Sequence, residues 1–196
     1  MQHLLTPYAV PMEPFVCRED VFSKDQLNWL QQQAKQATQT ATVGNGMGGG
    51  VDTGIRRSQL HWLYKTPDSS WVYDILGEAV SALNAQYFGF DLTGFGEAFQ
   101  LTHYDGTDNG MYGWHYDYGG DKISPSRKLS LVVQLSDPSE YEGGELQIMY
   151  SSTPASVQKQ RGLVAAFPAY MLHQVTPVTS GTRQTLVAWV SGPPFR

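Results

Sequence analysis

Histidine is scarce in this chain, and its placement is informative. There are five: His3, His61, His103, His115 and His173. His115-Tyr116-Asp117 is an H-x-D pair in a segment that reads as a strand. Residues two apart in a strand point to the same side. His173 opens a later strand-like segment. Two imidazoles and one carboxylate are the donor set of non-haem Fe(II) centres, and they leave half of an octahedral shell open.

A second H-x-D pair, His103-Tyr104-Asp105, competes with the first. Asp105 runs into Gly106-Thr107-Asp108-Asn109-Gly110, which reads as a turn, whereas Asp117 reads as lying within a strand. The expected ligands are therefore His115, Asp117 and His173. His103 is expected to be a strand-end histidine bonded to backbone. Arg183 begins the last strand, and Thr185 shares its face by the two-residue period. A permanently charged, planar guanidinium beside a hydroxyl suits a carboxylate ligand.

The elements that must position these residues fall into two parts. Near the N-terminus, Ser23 and Gln26 have capping-box spacing, and Phe22 with Leu27 can form a hydrophobic staple. Leu27, Leu30 and Ala34 then share one helical face. A second helix is expected from near Asp68 to about Tyr87, with Val72, Ile75, Leu76, Ala79 and Leu83 as its apolar stripe. Between the helices, Gly44–Gly54 is a glycine-rich loop without the Gly-Lys-Ser/Thr of a phosphate-binding loop. It reads either as a connector or as a lid over substrate. From residue 97 onward, short segments with β character alternate with turn signals such as Asp137-Pro138 and Gly143-Gly144. The spacing predicts a sandwich or jelly roll.

Composition agrees with one compact domain. The 196 residues are 41% hydrophobic and 16% charged, with 20 glycines and 11 prolines for turns. A formal charge of -5 argues against a protein that tracks nucleic-acid phosphates, although Arg56-Arg57 could form a local basic patch. Cys17 is the only cysteine, which fits a reducing, cytoplasmic setting. The N-terminal segment lacks the basic and apolar regions of a signal peptide, and no stretch reads as a membrane span.

Six ordered segments carry a family resemblance: Tyr112–Asp117, Arg127–Ser136, Tyr141–Leu146, Gly162–Pro168, His173–Val178 and Gly181–Arg183. Together they resemble the core of the 2-oxoglutarate/Fe(II) dioxygenases, in the prolyl 4-hydroxylase-like, PKHD-type branch. The resemblance covers about half the chain. It implies a mainly β fold, a double-stranded β-helix (jelly roll, cupin-like) with the N-terminal helices packed on its outer sheet. Residues 1–196 would form a single domain, with 1–96 as helical support and substrate-loop region and 97–196 as catalytic core.

The resemblance also implies iron on His115, Asp117 and His173, and 2-oxoglutarate held at its distal carboxylate by Arg183 with Thr185. Tyr104 and Tyr112 would lie around the co-substrate. Gln134 stands where some animal prolyl hydroxylases carry a supporting tyrosine. O2 would be consumed, ascorbate is a further candidate cofactor, and succinate and CO2 would be released as a C–H bond is hydroxylated. A peptidyl proline in a protein or peptide is the favoured substrate. Another amino-acid residue or a small metabolite is the alternative, and a non-catalytic jelly roll binding metal or sugar is the alternative of another class. Trp189, where nucleic-acid demethylases of the superfamily carry a second arginine, argues against that branch. Asp117 argues against a halogenase, which needs that coordination position free. Arg56–Tyr64, with Trp62, is expected to line the substrate entrance.

Overall fold

The computed structural model describes residues 13–37, 39–43, 50–119 and 126–194. Helix α1 spans Lys24–Ala34 and starts as the capping box requires. The Gln26 amide donates to the Ser23 hydroxyl at 3.3 Å, and the Ser23 amide donates to the Gln26 side chain at 2.8 Å. Phe22, Leu27, Leu30 and Ala34 are all buried. Helix α2 spans Ser70–Leu83 and continues as a wider turn over Asn84–Phe88. Gly89, at φ 65°, terminates it.

The strands are β1 (Val16–Arg18), β2 (Gln39–Thr40), β3 (Arg56–Arg57), β4 (Gln59–Leu63), β5 (Gly94–Phe95), β6 (Phe99–Asp105), β7 (Met111–His115), β8 (Arg127–Gln134), β9 (Tyr141–Gly143), β10 (Leu146–Met149), β11 (Ala155–Ser156), β12 (Val164–Pro168), β13 (Leu172–Val175) and β14 (Val178–Ser191). They build a large sheet, in the order β1-β12-β8-β14-β6-β4-β2 with β5 and β9 also on β14, and a small sheet, β11-β10-β13-β7-β3. The pairings are antiparallel.

Side-chain alternation divides the work of the large sheet between its two faces. Phe99 and Leu101 on β6, Leu129, Leu131 and Val133 on β8, and Leu186, Ala188 and Val190 on β14 join α1 and α2 in one apolar cluster. Truncating a fully enclosed member such as Leu30, Leu76 or Leu131 to alanine costs about 2–5 kcal/mol. On the other face, Val132, Ala165 and Phe167 pack against Leu146 and Ile148 of the small sheet. Arg183, Thr185, Val187 and Trp189 line a cavity between the sheets. This is the expected jelly roll, with its helices on the outer sheet.

Three expectations need correction. The N-terminal stretch is not purely helical support: β1, β2 and β4 extend the large sheet, and β3 edges the small one. Strands of two to five residues carry too few alternations to read from sequence. Strand β7 ends at His115, so Asp117 lies beyond it, whereas Asp105 ends β6. Arg56 is no surface basic patch but is buried, with 8% exposure. Residues 44–49 of the glycine-rich loop lie outside the described residues, and so does the lid reading that depends on them. Neither described helix is long and apolar enough to cross a membrane.

Candidate active site

His115 and His173 are cross-strand partners on β7 and β13, which sets their rings 4.1 Å apart at the mouth of the small sheet. Each ring is oriented through its Nδ1, which meets a backbone carbonyl two residues earlier: Gly113 at 2.8 Å and Met171 at 2.9 Å. Both Nε2 atoms are thereby turned toward Asp117, at 3.8 Å for His115 and 3.5 Å for His173. Asp117 reaches this place without a strand. Its backbone amide and that of Tyr118 both donate to the Ala169 carbonyl at 3.0 Å. The ligand atoms of the three side chains lie within 4.8 Å of one another.

The electrostatics prepare the cluster for a cation. Burial, with help from His173, holds His115 down to about 3, so its imidazole is neutral and can ligate at neutral pH. Burial opposes ionisation of Asp117, but His173, His115 and the Ser130 hydroxyl outweigh it and hold the carboxyl below its usual range. Two imidazoles and a carboxylate fit Fe(II). Carbonyl acceptors behind both rings are the supporting interactions such a site requires.

Arg183 lies across the cavity on β14, with 1% exposure. Its Nη2 donates to Gln134 at 3.1 Å, and its guanidinium carbon is 5.4 Å from the Tyr104 ring centre. Among the described residues no carboxylate lies within ion-pair distance of it. A buried charge without a counterion is costly, so an anion arriving in the cavity would meet a prepared partner.

Tyr104, Tyr112, His115, Asp117, His173, Arg183 and Thr185 all line one cavity of about 200 Å³, and Trp62 is in the same wall. Gln134 joins through Arg183. The Tyr112 ring stacks on His115 at 3.5 Å with 14° between planes. His103 does not join them. Alternation on β6 sends Tyr104 into the cavity and His103 to the opposite face, where it meets the cross-strand Gln184 side chain at 3.3 Å rather than backbone. Asp105 is occupied by the Thr107 amide and hydroxyl.

Sequence reasoning missed Ser130, Arg127 and Tyr141 as site residues, and it placed Arg56 only as one end of the Arg56–Tyr64 segment expected at the substrate entrance. Tyr141 is buried beside Arg183: a Cβ on Gly144 would meet both, at 3.2 and 2.9 Å. It was visible only as a member of the Tyr141-Glu142-Gly143-Gly144 segment. Ser130 and Arg127 gave no signal apart from the strand they share.

Comparison with known proteins agrees with this geometry. Residues 99–191 match the family model described as the 2OG-Fe(II) oxygenase superfamily. A PKHD-type hydroxylase of Synechococcus sp. (strain CC9902) is 38% identical over 79 residues, covering 40% of this chain and 35% of the relative. One from Prochlorococcus marinus is 41% identical over 80 residues, with the same shares. The matched part of this chain thus spans about a third of the length of those curated relatives. A prolyl-4-hydroxylase from Pseudomonas putida superposes with a TM-score of 0.70 at 17% identity, over 92% of this chain and 93% of that one. The Trichoplax adhaerens prolyl hydroxylase, solved with a hypoxia inducible factor peptide fragment, gives 0.75 at 13% identity, over 91% and 84%. At these identities the structural likeness is one of fold. The donor set at His115, Asp117 and His173 fits the iron of that superfamily, and residues 99–191, just under half of this chain, are similar to the 2OG-Fe(II) oxygenase superfamily.

Proposed function

We propose that this protein is an Fe(II)- and 2-oxoglutarate-dependent dioxygenase that hydroxylates a peptidyl proline, with release of succinate and CO2. The observation that carries the reading is Arg183: a buried guanidinium with no carboxylate partner among the described residues, lining the same cavity as a cluster of three potential ligands. A structural metal site would not need such an anion anchor, which weighs against the non-catalytic binding module.

His115, Asp117 and His173 would hold the iron, which supplies oxygen activation when 2-oxoglutarate is bound. Arg183 would fix the distal carboxylate of 2-oxoglutarate, with Gln134 steadying the guanidinium and Thr185 beside it. Tyr112 keeps the His115 ring in place by stacking. Apolar Val132, Leu146 and Val187 exclude water from the cavity walls. Trp62 and Trp189, with ring centres 6.4 Å apart, offer flat apolar surfaces for a proline ring. The PKHD-type relatives and the prolyl hydroxylase folds support the proline reading. The exposed Cys17, alone in the chain, suits a reducing, cytoplasmic setting.

The test is succinate formation by the iron-loaded protein from 2-oxoglutarate, with and without proline-containing peptides. Peptide-stimulated succinate with a matching gain of oxygen mass on proline is expected. Succinate formation that no proline-containing peptide stimulates would remove the prolyl assignment.

A further inference from the structure

The cavity holds a second buried arginine that the proposed chemistry does not use. Arg56 sits on β3, and its register partner on β7 is Tyr112. Its guanidinium carbon lies 4.5 Å from the Tyr112 ring centre, on a ring that itself stacks on His115 at 3.5 Å. Nε donates to Ser58 at 2.9 Å and Nη2 to Gln100 at 2.8 Å. Those bonds fix the plane of the group, yet no hydrogen bond from Nη1 is present among the described residues. Arg56 lines the cavity together with Trp62, Gln100 and Thr42, and no carboxylate among the described residues pairs with it.

Charge points to its partner. Arg127 is neutralised by Glu97. Among the described residues, that leaves Asp117 as the one carboxylate facing Arg56 and Arg183 in the cavity wall. A divalent iron and a dianionic 2-oxoglutarate cancel, so one positive charge stays uncompensated when both are bound. A guanidinium fixed by neutral acceptors, with one edge unused, is arranged for a carboxylate.

We propose that Arg56 binds a carboxylate of the primary substrate and so selects substrates with an acidic group beside the carbon that is hydroxylated. This rests on the hydroxylase reading above. The carboxylate can come from the α-carboxylate of an amino acid or peptide C-terminus, or from an acidic side chain next to the target residue.

The experiment is anaerobic calorimetry on the full chain loaded with Fe(II) and 2-oxoglutarate. The probes are L-proline against L-prolinamide, and acetyl-Ala-Pro-Glu-amide against acetyl-Ala-Pro-Gln-amide. In one pair the acid binds about a hundredfold more tightly than its neutral partner, and that pair identifies the source of the carboxylate. The preference disappears in Arg56→Gln and is partly kept in Arg56→Lys. An acid-to-amide ratio within one protein does not depend on how much of the variant is folded. Equal binding of acid and amide in both wild-type pairs, or a preference that survives Arg56→Gln, overturns the proposal. A wild type that fails to bind iron and 2-oxoglutarate at all instead removes the hydroxylase reading beneath it.

Discussion

The hydroxyl of Ser130 donates to Oδ2 of Asp117 at 2.6 Å, and the same oxygen faces Nε2 of His173 at 3.5 Å. A hydrogen bond this short to a carboxylate is charge-assisted. It lets β8, a central strand of the large sheet, fix a residue that no strand of its own holds. Ser130→Ala leaves the three ligands in place but frees the carboxylate to rotate. Iron affinity should fall about tenfold to a hundredfold, read by metal titration of the apo-protein. An unchanged affinity would make the bond incidental.

Arg183 has no anionic partner in the described chain, so its loss should be felt mainly by the co-substrate. Arg183→Gln should raise the dissociation constant of 2-oxoglutarate about a hundredfold while iron affinity changes little. Gly144→Ala tests the same anchor from behind. Gly144 has φ 59°, and an added Cβ would come within 2.9 Å of Arg183 Cδ. Strain of about 1–3 kcal/mol, seen in thermal unfolding, should accompany weaker 2-oxoglutarate binding.

The metal-free protein should lose stability on mild acidification. His115 is held at about 3 in the folded chain against an ordinary value of 6.5. Its pKa is depressed on folding, so below 6.5 the unfolded chain takes a proton that the folded chain refuses. Stability is full above 6.5 and falls as pH drops toward 3, by about 1.4 kcal/mol per pH unit where the difference is complete. His115→Gln should flatten this part of the profile in denaturant titrations at stepped pH. An equal slope in the variant would assign the acid sensitivity elsewhere.

Arg127 forms a two-pronged pair with Glu97 at 2.7 and 2.5 Å, donates to the Asp117 carbonyl at 3.2 Å and stacks on Trp189 at 4.0 Å. Both partners are largely buried. Glu97→Gln should cost about 3 kcal/mol, because it strands a buried charge. The double variant Glu97→Gln, Arg127→Met should recover part of that loss in chemical denaturation. A double variant less stable than the single one would show that the guanidinium acts mainly through Asp117 and Trp189.

What could be read in advance depended on how local the signal was. The start of α1 is written in four residues, Ser23 to Gln26, and the structure keeps it. The strands β8 and β14 are long enough for alternation to separate Leu131 and Leu186 from Gln134 and Arg183. The three residues that the structure gathers, His115, Asp117 and His173, were legible from type and order, but Asp117 is aimed by a loop tied to the Ala169 carbonyl and not, as expected, by a strand. Arg56 was legible only as one end of the Arg56–Tyr64 segment expected at the substrate entrance, and its burial was not foreseen. Its strand has two residues, and its burial depends on pairing with Tyr112, far away in the chain. Tyr141 was hidden for a similar reason, since β9 meets Arg183 only through its pairing with β14.

The most direct test is an anaerobic titration of the apo-protein with Fe(II) and 2-oxoglutarate, following the visible metal-to-ligand charge-transfer band, in wild type, His115→Ala, His103→Ala and Arg183→Ala. The account predicts a band in wild type that survives His103→Ala, vanishes in His115→Ala and needs far more 2-oxoglutarate in Arg183→Ala. A folded, iron-loaded wild type with no band would contradict it.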